Sequence, residues 1–152
     1  MRVTAMLAGA ALMVAACGGK KDAAASTDAT TTPATTAATT TGATHTIDMV
    51  MESATSYKFS PVNTTIKAGD IVIFKSVSGL AHDVAFIDDS IPAGAKAVLT
   101  AAVTGGPQDM ATAMTPEGQS VSVSFAGAPV GVYHFYCIPH APMNMRGSIT
   151  VQ

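Results

Sequence analysis

The chain has 152 residues, enough for one domain with extensions. It sets 8 Lys and Arg against 10 Asp and Glu with no basic run, which excludes the electrostatic footprint of a nucleic-acid binder. With 2 cysteines, 4 histidines and no tryptophan, few side chains are able to carry chemistry, and the Gly, Val, Thr and Ser content fits strands better than helices.

In chain order, residues 1–17, "MRVTAMLAGAALMVAAC", come first. One early arginine, an apolar run and then small residues make the pattern of an export signal. The apolar run is too short for a comfortable bilayer span. The stretch "VAAC" at 14–17 resembles the bacterial lipobox. That resemblance implies a lipid on Cys17 and an exported protein held on a bacterial membrane, facing the periplasm or the cell exterior. Several acyl chains together anchor firmly, where one does not. Residues 18–45 are dominated by Thr, Ala and Ser. They lack the apolar content for a core and are expected to form a disordered tether with a reach of roughly 30 Å. His45 falls in this tether and is expected to be solvated.

The domain proper is expected over residues 46–152. "TIDMVM" alternates weakly and predicts a first strand. A short extended piece and a second one ending at Ile66 follow, then a tight turn at "KAGD" and a strong strand over Ile71–Lys75. In that turn Gly69 supplies the unusual backbone angle and Asp70 the hydrogen bond. "HDVAFI" predicts another short strand. "QSVSVSF" at 119–125 puts Val121, Val123 and Phe125 on one face. In "GVYHFYC", residues 131–137, Tyr133, Phe135 and Cys137 share one parity, and Val132, His134 and Tyr136 the other. The last strand is "GSITVQ", with Ile149 and Val151 inward. The region 97–118 is irregular and is expected to hold a strand, a long loop and a helical turn. Met110 and Met114, four apart in it, read as a small apolar contact on one helical face. Short strands separated by turn signals predict an all-β sandwich. No phosphate-binding glycine motif is present.

The stretch "CIPHAPMNM", residues 137–145, gathers a thiol, an imidazole and two thioethers in one proline-stiffened loop. Soft and borderline ligands of this kind suit copper rather than calcium or magnesium. Structural zinc usually takes four Cys or His ligands, and c-type haem needs a C-x-x-C-H motif that is absent. A second imidazole has to come from His45, His82 or His134. His134 has the strand parity opposite to Cys137 and should point away. His82 stands where a loop ends and a strand begins, between Leu80, Ala81 and Val84. His82, Cys137 and His140 with a methionine make the composition of a blue-copper centre, two imidazoles and a thiolate with a weak axial thioether.

Three stretches, "KAGDIVIF", "AHDVAFIDDSIPAGA" and "GVYHFYCIPH", resemble the cupredoxins of the plastocyanin and pseudoazurin kind, over nearly all of 46–152. The resemblance implies a Greek-key β-sandwich and one type 1 copper ion held by His82, Cys137, His140 and Met145. The methionine stands five residues after the histidine in that pattern; the amicyanin spacing of three would choose Met143. It further implies a one-electron carrier rather than an enzyme, a monomer with no small-molecule substrate, serving redox protein partners. His140 would be the electron port, its ring edge reaching the surface through an apolar patch of Leu80, Ala81, Pro139, Ala141 and Pro142. Asp88 and Asp89 resemble a reduced acidic docking patch. The alternative is a tethered copper carrier or buffer using the same ligands. Two positions depart from the pattern. Asp83 stands where an asparagine usually follows the first histidine, and Ile138 where Ser or Thr usually follows the cysteine. An aspartate cannot donate as an amide does, and isoleucine offers nothing polar.

Overall fold

Period-two alternation of apolar residues builds the strands, and their inward positions meet in one core. The computed structural model of the protein describes residues 42–152. The expected export signal with Cys17, and residues 18–41 of the expected tether, lie outside the described residues. The strands are β1 (Thr44–Ser53), β2 (Ser56–Ser60), β3 (Asn63–Ile66), β4 (Ile71–Ser76), β5 (Ala85–Phe86), β6 (Ser120–Ser124), β7 (Gly131–Tyr136) and β8 (Arg146–Val151), with one helix, α1 (Ala95–Ala102), between β5 and β6. One sheet runs β2-β1-β4-β6 and the other β3-β8-β7-β5. β1 lies parallel to β4 and β3 parallel to β8, while the remaining neighbours are antiparallel. Only the β1–β2 and β7–β8 connections stay within a sheet; every other connection crosses. This is the expected β-sandwich, here of two mixed sheets.

All 5 phenylalanines of the chain are buried in the space between the sheets. Phe135 is the hub: Phe59, Phe74 and Phe86 each meet its ring edge-on, with centroids at 4.8, 5.3 and 5.9 Å. The parity read for β7 holds, with Tyr133, Phe135 and Cys137 buried and Val132 and His134 exposed. Val123 and Phe125 are likewise buried, with Val121 half-buried against them. The ends of the strands place the loops. β4 leads into the segment that ends at His82, and β7 leads into Cys137, so both runs arrive at the same end of the sandwich.

The 97–118 region differs from expectation. The helix starts at Ala95, after Gly94 in the left-handed region at φ 84°, and buries Ala95 and Leu99. No continuous strand follows it; single bridges join Gly105 to Thr112, Ala85 to Ala111 and His82 to Thr115. Met110 is buried and Met114 exposed, so the two do not share a helical face. The "HDVAFI" strand is also shorter than expected, only Ala85–Phe86 pairing continuously, with β7.

His45 is not a solvated tether residue. β1 already begins at Thr44, and the parallel register sets His45 opposite Val72. Its Nε2 lies 2.8 Å from Asp70 Oδ2. The same carboxylate accepts the Lys67 N–H at 2.9 Å and the Ala43 N–H at 2.8 Å, just after Gly69 at φ 96°. The Lys67 N–H first, and then His45, hold the Asp70 carboxyl below its usual value. A depressed folded value means that this carboxylate stabilises the fold above its unfolded value of about 4 and loses that contribution as pH falls through the folded value. Wild type should therefore be more stable than Asp70→Asn at neutral pH. Denaturant melts should show the gap closing as pH drops below about 4.

Candidate metal centre

Two segments far apart in sequence deliver three polar side chains into one buried space. His82 arrives from the loop after β4, and its backbone is clamped from outside: its N–H donates to the Thr115 carbonyl at 3.1 Å, and the Thr115 N–H donates back at 2.6 Å. Two residues on, Val84 and Thr112 repeat the clamp, with the Val84 N–H on Thr112 Oγ1 and the Thr112 N–H on the Val84 carbonyl, both at 3.0 Å. The irregular 103–119 stretch thus serves as a brace for the His82 segment. The His82 ring is fixed as well: Nε2–H donates to the Ser78 carbonyl at 3.1 Å, which leaves Nδ1 facing Cys137. A second hydrogen bond of this kind sets tautomer and orientation at metal-ligating histidines.

Cys137 and His140 come from the loop after β7. Cys137 Sγ stands 3.2 Å from His140 Nδ1 and 3.9 Å from His82 Nδ1. The three candidate ligand atoms all lie within 4.8 Å of one another, and all three residues are buried. The loop closes on itself through the Cys137 N–H to the Met145 carbonyl at 3.1 Å and the Met145 N–H to the His140 carbonyl at 3.3 Å. A short 3-10 turn, Ala141–Met143, and Asn144 in the left-handed region at φ 58° turn the chain back. This brings Met145, which is fully buried, between the backbones of Cys137 and His140. Met143 is half-buried and packs against the core. His134 is exposed on the outer face of β7, as its parity requires.

Burial pushes the Cys137 thiol up to about 12, with the charge of Asp83 adding to the rise and backbone N–H groups of Asp83 and His140 opposing it. A cation ligated by this sulfur must displace its proton. Burial first, and the neighbouring His82 second, hold the His140 imidazole below its usual value, which keeps it neutral and available as a donor at neutral pH.

A family model described as copper binding proteins, plastocyanin/azurin family, matches residues 45–152. The chain belongs to the plastocyanin/azurin family of copper binding proteins. Plastocyanin of Solanum tuberosum is 35% identical over 96 residues, covering 63% of this chain and 89% of that protein. Among solved structures, the oxidized plastocyanin of the fern Dryopteris crassirhizoma is 27% identical with a TM-score of 0.53, covering 70% of this chain and 99% of the other. Pseudoazurin of Methylobacterium extorquens AM1 is 25% identical with a TM-score of 0.51, covering 71% of this chain and 74% of the other. The family is one of copper-binding electron carriers, not of enzymes.

In this cupredoxin the donor set fits the one copper ion that the family binds. Two imidazoles and a thiol face one another with a buried thioether residue beside them, and that is the composition a copper site of this kind uses. One buried carboxylate oxygen next to the cluster, Asp83 Oδ2, also has no hydrogen-bond partner.

Three features were not read from the sequence. Tyr57, in β2, stacks flat on His140 with centroids 3.9 Å apart and an interplanar angle of 8°, and meets His82 edge-on at 6.0 Å. His140 is 3% exposed under this cover. Of the apolar patch, Leu80 is 71% exposed, Pro139 and Pro142 are exposed, and Ala81 and Ala141 are half-buried. The second feature is a cross-tie between the two segments, made by the two departing residues themselves: the Ile138 N–H donates to Asp83 Oδ1 at 2.7 Å. The third is that Asp88, one of the two acids after β5, is paired with Lys96 across the turn into α1.

Proposed function

We propose that this protein carries single electrons on a mononuclear type 1 copper ion held by His82, Cys137, His140 and Met145. The observation that supports the ligand set most directly is the convergence of the three buried donor atoms within 4.8 Å. Met145 is favoured over Met143 because its backbone is bonded to both Cys137 and His140 and its side chain is fully buried. Bound copper supplies the one-electron Cu(II)/Cu(I) couple, which thiolate and thioether tilt toward Cu(I) and the imidazoles toward Cu(II). The chain supplies a donor set braced from outside, so little has to rearrange as the electron moves. Thr115 and Ser78 hold His82, the Met145 carbonyl holds the Cys137 backbone, and Tyr57 covers the His140 ring.

Electrons would pass through the end of the sandwich that carries Leu80, Ala81, Pro139, Ala141 and Pro142, a modest apolar surface suited to brief docking with redox protein partners. The chain would act as a monomer and needs no small-molecule substrate. Its first 17 residues would direct export, and a lipid on Cys17 would hold the 46–152 domain on a bacterial membrane by the 18–45 tether, facing the periplasm or the exterior. The test is a visible absorption titration of the purified chain with Cu(II). An intense thiolate-to-copper band should saturate at one equivalent, bleach with ascorbate and return with oxidant. A colourless or irreversibly reduced complex would replace this reading with that of a copper carrier or buffer. Mass spectrometry of the membrane-extracted protein tests the anchor: a diacylated or triacylated N-terminal Cys17 is expected, and an unmodified N-terminus rules it out.

A further inference from the structure

We propose that Asp83 sets the oxidation-state preference of the metal centre, its buried carboxylate acting as a fixed negative charge that favours Cu(II) over Cu(I). The inference rests on the copper reading above and adds a residue that is not itself a ligand. Three observations carry it. Asp83 is 1% exposed, and its Oδ1 is pinned by the Ile138 N–H at 2.7 Å, a short charge-assisted contact that prevents the group from swinging out to water. Its Oδ2 is buried without any partner, and the only other such side-chain atoms among the described residues are the neutral hydroxyls Thr64 Oγ1 and Ser76 Oγ. No cation compensates it either: the ion pairs among the described residues join His45 to Asp70, Lys58 to Glu52 and Lys96 to Asp88.

A buried carboxylate with neither a counter-ion nor a second donor is costly, and such groups are normally paired or held near a metal. Asp83 sits at the copper cluster: it follows His82 directly in the chain, and its Oδ1 is bonded to the N–H of Ile138, the residue after Cys137. The natural counter-charge is therefore the metal. The sign follows from charge counting. Cu(II) takes up one electron and becomes Cu(I), so the site loses one positive charge on reduction. A neighbouring carboxylate attracts the more positive state more strongly, and in a water-poor interior that attraction is little screened. Asp83 thus holds the reduction potential below the value an amide at the same place would give.

Asp83→Asn separates charge from structure, because the amide oxygen still accepts from Ile138 while the charge is gone. Asp83→Ala removes both. Redox titration of the full copper-loaded chain should show the Cu(I)/Cu(II) ratio at a given potential rising at least tenfold in Asp83→Asn, an upward midpoint shift of about 59 mV. The visible band should remain. Chelator competition with each ion alone should show Cu(II) affinity falling about tenfold more than Cu(I) affinity, the same factor seen from the binding side. Asp83→Ala should shift the midpoint upward too, and broaden the band as well. An Asp83→Asn midpoint that stays put or falls, with Asp83→Ala alone perturbing the site, would reduce Asp83 to a backbone tie and overturn the proposal. A wild-type chain with no thiolate-to-copper band would overturn the copper reading itself, an outcome visible before any variant is made.

Discussion

Cys137→Ser abolishes the intense visible band of the Cu(II)-loaded protein and weakens Cu(II) binding by more than 100-fold; this is the largest functional effect expected of any single substitution. Loss of a residue that merely supports a ligand already costs roughly 10- to 100-fold, and here a proposed ligand itself is removed. Cys137 is the only cysteine among the described residues and is fully buried between the two imidazoles. No other residue of the cluster can supply the sulfur-to-copper charge transfer. Serine is close in size, so the Cys137 backbone bond to Met145 and the core packing should survive, and far-ultraviolet circular dichroism should match wild type. Absorption and competition titrations give the result. A serine variant that keeps the band would mean that copper sits elsewhere and would end the ligand assignment.

Phe135→Ala should have the largest effect on stability, a loss of about 3–5 kcal/mol in unfolding free energy. The ring is fully buried and takes edge contacts from three other phenylalanines. Each such contact adds to simple area burial, by about 0.5–1.5 kcal/mol. The neighbourhood has little means of collapsing into the vacated space. Gly147, opposite Phe135 on β8, has no side chain to move in, and a Cβ built there would already lie 2.6 Å from the Phe135 ring. A small domain holds only about 5–15 kcal/mol in total, so this variant should sit near its unfolding threshold without metal and regain stability when copper is added. Urea melts of the apo and loaded forms measure both effects. A loss below about 1 kcal/mol would mean that the cluster is not the centre of the core.

What was legible in the sequence was local or periodic. The alternation over 131–137 decided which residues of β7 face inward, and so separated Cys137 from His134. The loop 137–145 announced its donors because they are crowded together, and the apolar neighbours of His82 marked it out from the idle histidines. What was not legible depends on pairings between distant segments. His45 looked like tether because its composition is tether-like; its partner Asp70 comes close only through the parallel register of β1 on β4. Tyr57 could be placed inward with Phe59, but nothing local said that its ring would lie on His140. The helix starting at Ala95 was blurred because Gly94 caps it by conformation alone, with no side-chain hydrogen bond to signal a start. The Asp83–Ile138 tie is not legible because neither side chain offers a donor; the donor is the backbone N–H of Ile138, and only the fold brings it to Asp83.

The pairing of β3 with β8 decides the order in which this molecule comes into being. Asn63 lies opposite Ser148, their side chains joined at 2.8 Å across 85 positions of sequence. Pairings of such separation must close a long loop before they gain anything, which places sandwiches of this type among the slow folders, in milliseconds to seconds. β8 is also the strand that returns from Met145, and its antiparallel docking on β7 sets the loop between Cys137 and Met145. A chain leaving the ribosome therefore holds its 137–145 donors in a loop that stays open until its last six strand residues dock. Metal arriving earlier would meet flexible ligands free to bind it in the wrong arrangement. An ion added once β8 has docked would meet the 137–145 loop already closed on itself.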